Sequence, residues 1–191
     1  MQLPLLAPAR GDAAALAPGG AVYTKRWVVE LLLDLAGYTS DKNLVDAVAV
    51  EPSAGEGAFV GPMAERLLAS FRRQGRPLSD CRNSLVAFEL NEASAVHARE
   101  SLAEVAGWQL PLAWIRTGDY LFDSMQLEAD YVIGNPPYIR LEEIPEETAQ
   151  GYRDIYRTMR GRADLYVAFF EAALRQLKPD GVCAFICADH T

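Results

Sequence analysis

The chain has 191 residues, half of them apolar and 23% charged, with a formal charge of −8. A chain of this length buries roughly 70% of its extended surface on folding, which allows one real core and excludes two large domains. The composition excludes a disordered or fibrous chain, and the acidity excludes bulk-charge gripping of nucleic acid while leaving room for a local basic face.

Residues 1–20 are mostly Ala, Pro and Gly, with Pro4, Pro8 and Pro18 breaking any helix. They read as a mobile or loosely docked arm, followed by one domain over 21–191. Met1 to Leu6 lack the basic start of a secretory signal, and no apolar run approaches the ~18 residues of a membrane span. The three cysteines include Cys183 and Cys187 in one predicted strand, about 13 Å apart and too far to bridge. A reduced, cytoplasmic protein is the expectation.

The first predicted helix has Thr24 as its cap and Trp27, Val28, Leu31, Leu32 and Leu35 on one face before Gly37. A strand over Val45–Val50 leads to Glu51-Pro52 and a glycine turn, then a helix over about Ala58–Arg73. Leu85–Phe88 is a second strand ending in Glu89, followed by a helix over Glu92–Ala106 that Gly107 stops. Leu112–Ile115 is a third strand, ending near Asp119, and Tyr131–Gly134 a fourth, ending in Asn135-Pro136-Pro137-Tyr138. A polar helix over Glu146–Met159, an apolar one over Leu165–Leu177 and a fifth strand over Val182–Ala188 complete the set. Short apolar strands alternating with helices predict an α/β fold, a mostly parallel twisted sheet with helices on both faces. Ligands of such sheets sit beyond the carboxyl ends of the strands, so Glu51, Glu89, Asp119 and Asn135 are expected on one rim.

Each strand end carries its own chemistry. In Glu51-Pro52-Ser53-Ala54-Gly55-Glu56-Gly57-Ala58-Phe59 the glycines permit close backbone approach, and an acid at the strand end suits a ligand bearing an ammonium group. The segment lacks the third glycine and the Lys-Ser/Thr pair of nucleotide-phosphate loops, and a plain strand-to-helix turn is its other reading. Glu89 is placed to accept ribose hydroxyls and Asp119 an adenine amino group, or each is a solvated turn acid. Asn135-Pro136-Pro137-Tyr138 is the most specific motif. Two prolines make a stiff turn without amide hydrogens, so the Asn side-chain carbonyl and a Pro carbonyl both remain free to accept from one amino group. Two such acceptors favour a pyramidal, nucleophilic nitrogen and stabilise the positive charge it develops in attack on a sulfonium methyl. Tyr138 supplies a flat face for a base.

This ordered set resembles the gamma-class N6-adenine DNA methyltransferases of restriction–modification (type IIG included) and phage-defence systems. The resemblance covers about residues 20–190. It implies a Rossmann-like class I methyltransferase fold, incomplete at its C-terminal edge, with S-adenosylmethionine as cofactor. It places Tyr23 and Thr24 where the family has Tyr-Thr-Pro, Lys25 being a departure. By the same resemblance Thr24, Glu51, Ser53, Ala54, Gly55, Gly57 and Phe59 surround the methionine part, Glu89 holds the ribose and Asp119 the cofactor adenine. Asn135, Pro136, Pro137 and Tyr138 hold the target amine, with Asn135 bordering the cofactor as well. Asp164-Leu165-Tyr166 and Lys178-Pro179-Asp180-Gly181 are also similar to the family segment after the catalytic loop.

Arg153, Arg157 and Arg160 fall at i, i+4 and i+7 of the predicted polar helix, beside Tyr152 and Tyr156, and read either as a DNA-phosphate face or as a solvated one. His97 and His190 have no ligands spaced around them and are assigned neither to metal nor to catalysis. The family fold continues past the fifth strand, so a missing C-terminal part or a partner subunit is expected. The chain alone is then expected to hold the cofactor site and to methylate DNA poorly. Protein glutamine methyltransferases acting on release factors share the Asn-Pro-Pro-Tyr turn and are the nearest alternative, with RNA amino methyltransferases a further one. A non-catalytic partner module is the alternative from another class.

Overall fold

The computed structural model describes residues 24–107 and 109–187. The predicted arm over 1–20 and Tyr23 lie outside the described residues. Five strands form one sheet: β1 (Ala49–Glu51), β2 (Leu85–Glu89), β3 (Ile115–Thr117), β4 (Ala129–Gly134) and β5 (Leu177–Phe185). Their order is β3-β2-β1-β4-β5 and every pairing is parallel. The chain builds outward from β1 in one direction, then returns to pair β4 on its other side. The crevice between the ends of β1 and β4 is therefore the switch point of the sheet.

Two apolar layers cover the sheet, as the short apolar strands require. One holds Val29, Leu33, Phe59, Met63, Leu67, Leu85, Ala87, Leu102 and Trp114. These come from α1 (Arg26–Leu35), α2 (Val60–Gln74), α3 (Glu92–Ala106), α4 (Gln109–Trp114) and the sheet. The other holds Val50, Phe88, Tyr120, Val132, Tyr152, Leu165, Phe169 and Ala172. Here the helices are α5 (Tyr120–Asp123), α6 (Glu146–Ile155) and α7 (Leu165–Gln176). Successive residues of β2 alternate between the layers, which is the period-two geometry of a strand buried on both faces.

The structure corrects four details of the sequence reading. Leu112 to Trp114 are helical, in α4, and β3 begins only at Ile115. Pro111 falls in the first turn of α4, where its missing N–H costs no helical bond, and the fully buried Trp114 donates Nε1–H to the Cys81 carbonyl at 2.9 Å. Secondly, β1 is confined to Ala49–Glu51, although Leu44 and Val45 remain in the core. The third detail is the buried face of α1. Val29 and Leu33 point inward, while Trp27, Leu31 and Leu35 are 65%, 51% and 75% exposed. A polar line of Arg26, Glu30 and Asp34 sets this rotation, because Arg66 on α2 pairs with Glu30 at 2.6 Å and Asp34 at 2.7 Å. Fourthly, α1 is capped by Lys25 backbone with no side-chain cap, so the Thr24 hydroxyl is not spent on the helix end.

Candidate active site

The rim predicted from the strand ends is present. Glu51 closes β1 and is 1% exposed. Its carboxyl takes a hydrogen bond from the Val60 amide, yet Oε2 has no partner among the described residues. Burial, with the Glu89 carboxylate adding to it, holds its pKa well above the usual carboxylate range. Pro52 and Ala54 are buried beside it, and Ser53, Gly55 and Gly57 are half-buried. Gly55 and Gly57 have φ of 54° and 96°, a left-handed backbone that favours glycine. A Cβ at Gly55 would meet nothing within 4 Å, so this turn faces open space. Phe59 is 2% exposed and belongs to the core.

Glu89 ties two loops to the end of β2. Oε2 accepts from the Gly55 amide and Oε1 from the Asn91 amide, each at 2.7 Å. The Ala54 amide reaches the Phe88 carbonyl at 2.8 Å, and Gly118 reaches the Glu89 carbonyl at 2.9 Å. The loops after β1 and β3 are thus stitched to the same strand end. Each Glu89 oxygen accepts one bond here and retains a lone pair for another donor.

Asp119 caps α5, with Oδ1 accepting from the Leu121 amide at 2.9 Å. Oδ2 accepts from the Tyr152 hydroxyl at 2.5 Å. Burial raises the Asp119 pKa, and the Tyr152 bond opposes that rise. Tyr152 is a residue whose part the sequence reading missed. It is 2% exposed on the inner side of α6 and stacks on Phe122 at 4.9 Å. Its signal is helical spacing with Ala149 and Tyr156, both buried in the same layer.

Asn135 follows β4, next to β1 in the sheet. A Cβ on Gly134 would lie 3.1 Å from Pro52 Cδ and 3.5 Å from Glu51 Cγ, so glycine lets the β4 end close against the Glu51 loop. Asn135 Nδ2 donates to Thr24 Oγ1 at 3.1 Å, and Oδ1 accepts from the Tyr138 hydroxyl at 2.7 Å. Thr24 is 9% exposed, Pro136 is buried, and Pro137 and Tyr138 are half-buried. Among the described residues no hydrogen bond falls on the Pro136 carbonyl. Tyr138 leans on Tyr166 at 6.3 Å between ring centroids. The segment after this turn is held by bonds from Leu141 N–H to the Ala163 carbonyl at 3.0 Å and from Leu165 N–H to the Ile139 carbonyl at 2.8 Å.

The predicted arginine face is not a helix face. α6 ends at Ile155, so Arg153 alone lies on it, paired with Glu146 at 2.9 Å. Arg157 and Arg160 are exposed on the following turn, where Glu171 accepts from the Arg157 amide at 3.1 Å. Tyr156 is 2% exposed, so it and Tyr152 are core residues and not surface stacking partners.

Three carboxylates on successive strand ends and an Asn-Pro-Pro-Tyr turn across the crevice form one donor-accepting rim. Such a set of acceptors can receive donors such as ammonium, hydroxyl or amino groups. A family model described as Eco57I restriction-modification methylase matches residues 73–190. The chain is 38% identical over 183 residues to the type II methyltransferase M.PaeR7I of Pseudomonas aeruginosa, covering 90% of this chain and 32% of that protein. It is 37% identical over 184 residues to M.XhoI of Xanthomonas vasicola, covering 90% and 34%. The chain thus spans about a third of the length of the curated relatives it matches. Among solved structures, the type I restriction-modification methyltransferase subunit of Streptococcus thermophilus superposes with a TM-score of 0.61 at 20% identity, over 87% of this chain and 34% of that one. The type IIG restriction endonuclease BpuSI gives 0.53 at 16% identity, over 87% and 19%. These likenesses show the Rossmann-like methyltransferase fold.

Proposed function

The chain belongs to the Eco57I restriction-modification methylase family, and from that premise we propose that it is the catalytic portion of a DNA methyltransferase acting on the N6 amino group of adenine, with S-adenosylmethionine as donor. The observation that carries this reading is the Asn135-Pro136-Pro137-Tyr138 turn packed, through Gly134, against a buried carboxyl with an unpartnered oxygen.

The cofactor fits the residues present. Glu51 offers the unpartnered Oε2 to its ammonium group, Gly55 leaves open space for its chain, and Glu89 and Asp119 have lone pairs for ribose hydroxyls and an adenine amine. When bound, S-adenosylmethionine supplies an electrophilic sulfonium methyl. The chain's own residues then do three things. Asn135 Oδ1 and the Pro136 carbonyl accept the two hydrogens of the target amine and so direct its lone pair away from the base ring. The same acceptors stabilise positive charge as it grows on nitrogen. Tyr138 presents its ring to a base turned out of the duplex. The nitrogen loses its proton after attack, so no strong base is required. Exposed Arg157 and Arg160, on the turn after α6, would meet phosphates of the DNA backbone in this reading.

The test is transfer of labelled methyl from S-adenosylmethionine to DNA, with the product base identified by mass spectrometry. N6-methyladenine supports the reading, whereas N4-methylcytosine, or labelling of glutamine in a release-factor peptide offered in a parallel reaction, replaces it. Asn135→Ala is expected to lower the transfer rate by about 10²-fold or more while changing cofactor affinity less than about threefold. Equal loss of both contradicts the role given to Asn135.

A further inference from the structure

A carboxylate only accepts hydrogen bonds, whereas a carboxylic acid both donates and accepts. Which of the two stands at Asp119 decides whether the site takes a purine with an amino group or one with an oxo group. The loop that carries Asp119 is fastened through its backbone. The Gly118 amide donates to the Glu89 carbonyl at 2.9 Å, and the Asp119 amide to Asp123 Oδ2 at 3.0 Å. Oδ1 caps α5, and Oδ2 takes the Tyr152 hydroxyl at 2.5 Å. Tyr152 is buried, and its hydroxyl has no other acceptor among the described residues. Its ring is held on Phe122 at 4.9 Å. Gly151 before it lets α6 come this close, since a Cβ there would lie 2.9 Å from Phe122 Cζ. Tyr152 therefore acts on the carboxylate and not on the loop backbone.

We propose that Tyr152 is a positioning residue that sets the purine selectivity of the cofactor site, its hydroxyl holding Asp119 as an acceptor-only carboxylate that receives a 6-amino group and turns away a 6-oxo group. The inference rests on Asp119 facing the cofactor adenine, as read above. Burial, and after it the Asp123 charge on α5, favour the neutral acid; the Tyr152 hydroxyl and the Leu121 and Phe122 amides favour the carboxylate. Tyr156, just past α6, is kept neutral by burial. The Tyr152 hydroxyl can also donate to the neutral acid, but its bond to the anion is roughly twice as strong, so the net effect favours ionisation. An acid proton aimed at the Tyr152 oxygen would leave the phenol proton without an acceptor. Phenylalanine in this place loses the preference. A protonated Asp119 then donates its O–H to an oxo group, or accepts from an amino group with its other oxygen, and the two purines are told apart less well.

The experiment titrates the purified chain with S-adenosylhomocysteine and with its deaminated analogue, which carries hypoxanthine, from about pH 8 down to about pH 5. The two compounds share their ribose and amino-acid parts, so titration of Glu51 or Glu89 cancels in the ratio of affinities. The wild type is expected to prefer the amino compound most at high pH and to lose that preference on acidification. Tyr152→Phe is expected to move the loss upward by about one to two pH units, the effect of one hydrogen bond to a charge. Replacing Tyr152 by 3-fluorotyrosine, a stronger donor of nearly the same shape, is expected to move it downward, and this variant decides if the phenylalanine one does not fold. Asp119→Asn is expected to show a ratio independent of pH. A loss over the same pH range with tyrosine, phenylalanine and fluorotyrosine overturns the inference, as does an equal drop in affinity for both compounds with the ratio unchanged. A wild type that binds neither compound, or both alike, contradicts the reading of Asp119 and the inference with it. Failure to methylate DNA counts against the function proposed above, and the affinity ratios still decide the role of Tyr152.

Discussion

Glu51 carries an energetic cost that the fold alone does not explain. It is buried with an unpartnered oxygen, and both its burial and the Glu89 charge disfavour ionisation. Its folded pKa lies well above the usual carboxylate range. The unfolded chain therefore releases this proton more readily than the folded one, and the stability Glu51 contributes is present below about pH 4.5 and lost as pH rises through the folded pKa. Glu51→Gln keeps the shape and removes the ionisation. It is expected to match the wild type in thermal unfolding near pH 4 and to exceed it at pH 8, by roughly 2–4 °C in Tm for each kcal/mol regained. Equal pH profiles would contradict an acid held neutral by burial. The same substitution is expected to weaken cofactor binding. Glu51, Glu89, Asp119 and Asn135 were legible as site candidates because each follows an apolar strand. The protonation of Glu51 was not, since it depends on what the fold packs around the carboxyl.

At the level of elements, α6 holds the rim through Tyr152 and not through its charges. The Tyr152 hydroxyl meets Asp119 Oδ2, and its ring lies against Phe122. Tyr152→Phe keeps the packing and leaves a buried carboxyl short of one donor. It is expected to cost about 1–3 kcal/mol in urea unfolding near pH 8. The Asp119 pKa then rises further, because the bond that opposed its burial is gone. The ionised carboxylate depends most on that donor, so the deficit is expected to shrink as Asp119 is protonated on acidification. A deficit independent of pH would mean that only packing had changed. The element order was largely readable from period and turn residues: α3 falls on the predicted Glu92–Ala106. Two elements were not. Leu112–Ile115 is an apolar run that period cannot divide between strand and helix, and the buried Trp114 bond to Cys81 favours α4. α1 has apolar residues on more than one side, and its rotation depends on Arg66, which lies on another helix.

For the whole molecule, the central feature is a switch point at which loops from β1 and β4 face each other under the start of α1. Strand alternation predicted the parallel sheet, and the strand ends predicted which residues would share its rim. The bonds that join distant segments there, Thr24 to Asn135 and Tyr138 to Ile186, span 111 and 48 positions and leave no local pattern to read. Calorimetric titration of the purified chain with S-adenosylmethionine, repeated in two buffers of different ionisation enthalpy, tests the account most directly. Binding with a Kd of about 1–100 μM, roughly 5–8 kcal/mol, is expected. It should release up to about one proton as the ligand's ammonium group ionises Glu51, and it should tighten as pH rises toward the Glu51 pKa. A folded chain that takes up no ligand, or that binds with no dependence on buffer or pH, would contradict the assignment of Glu51 and the rim around it.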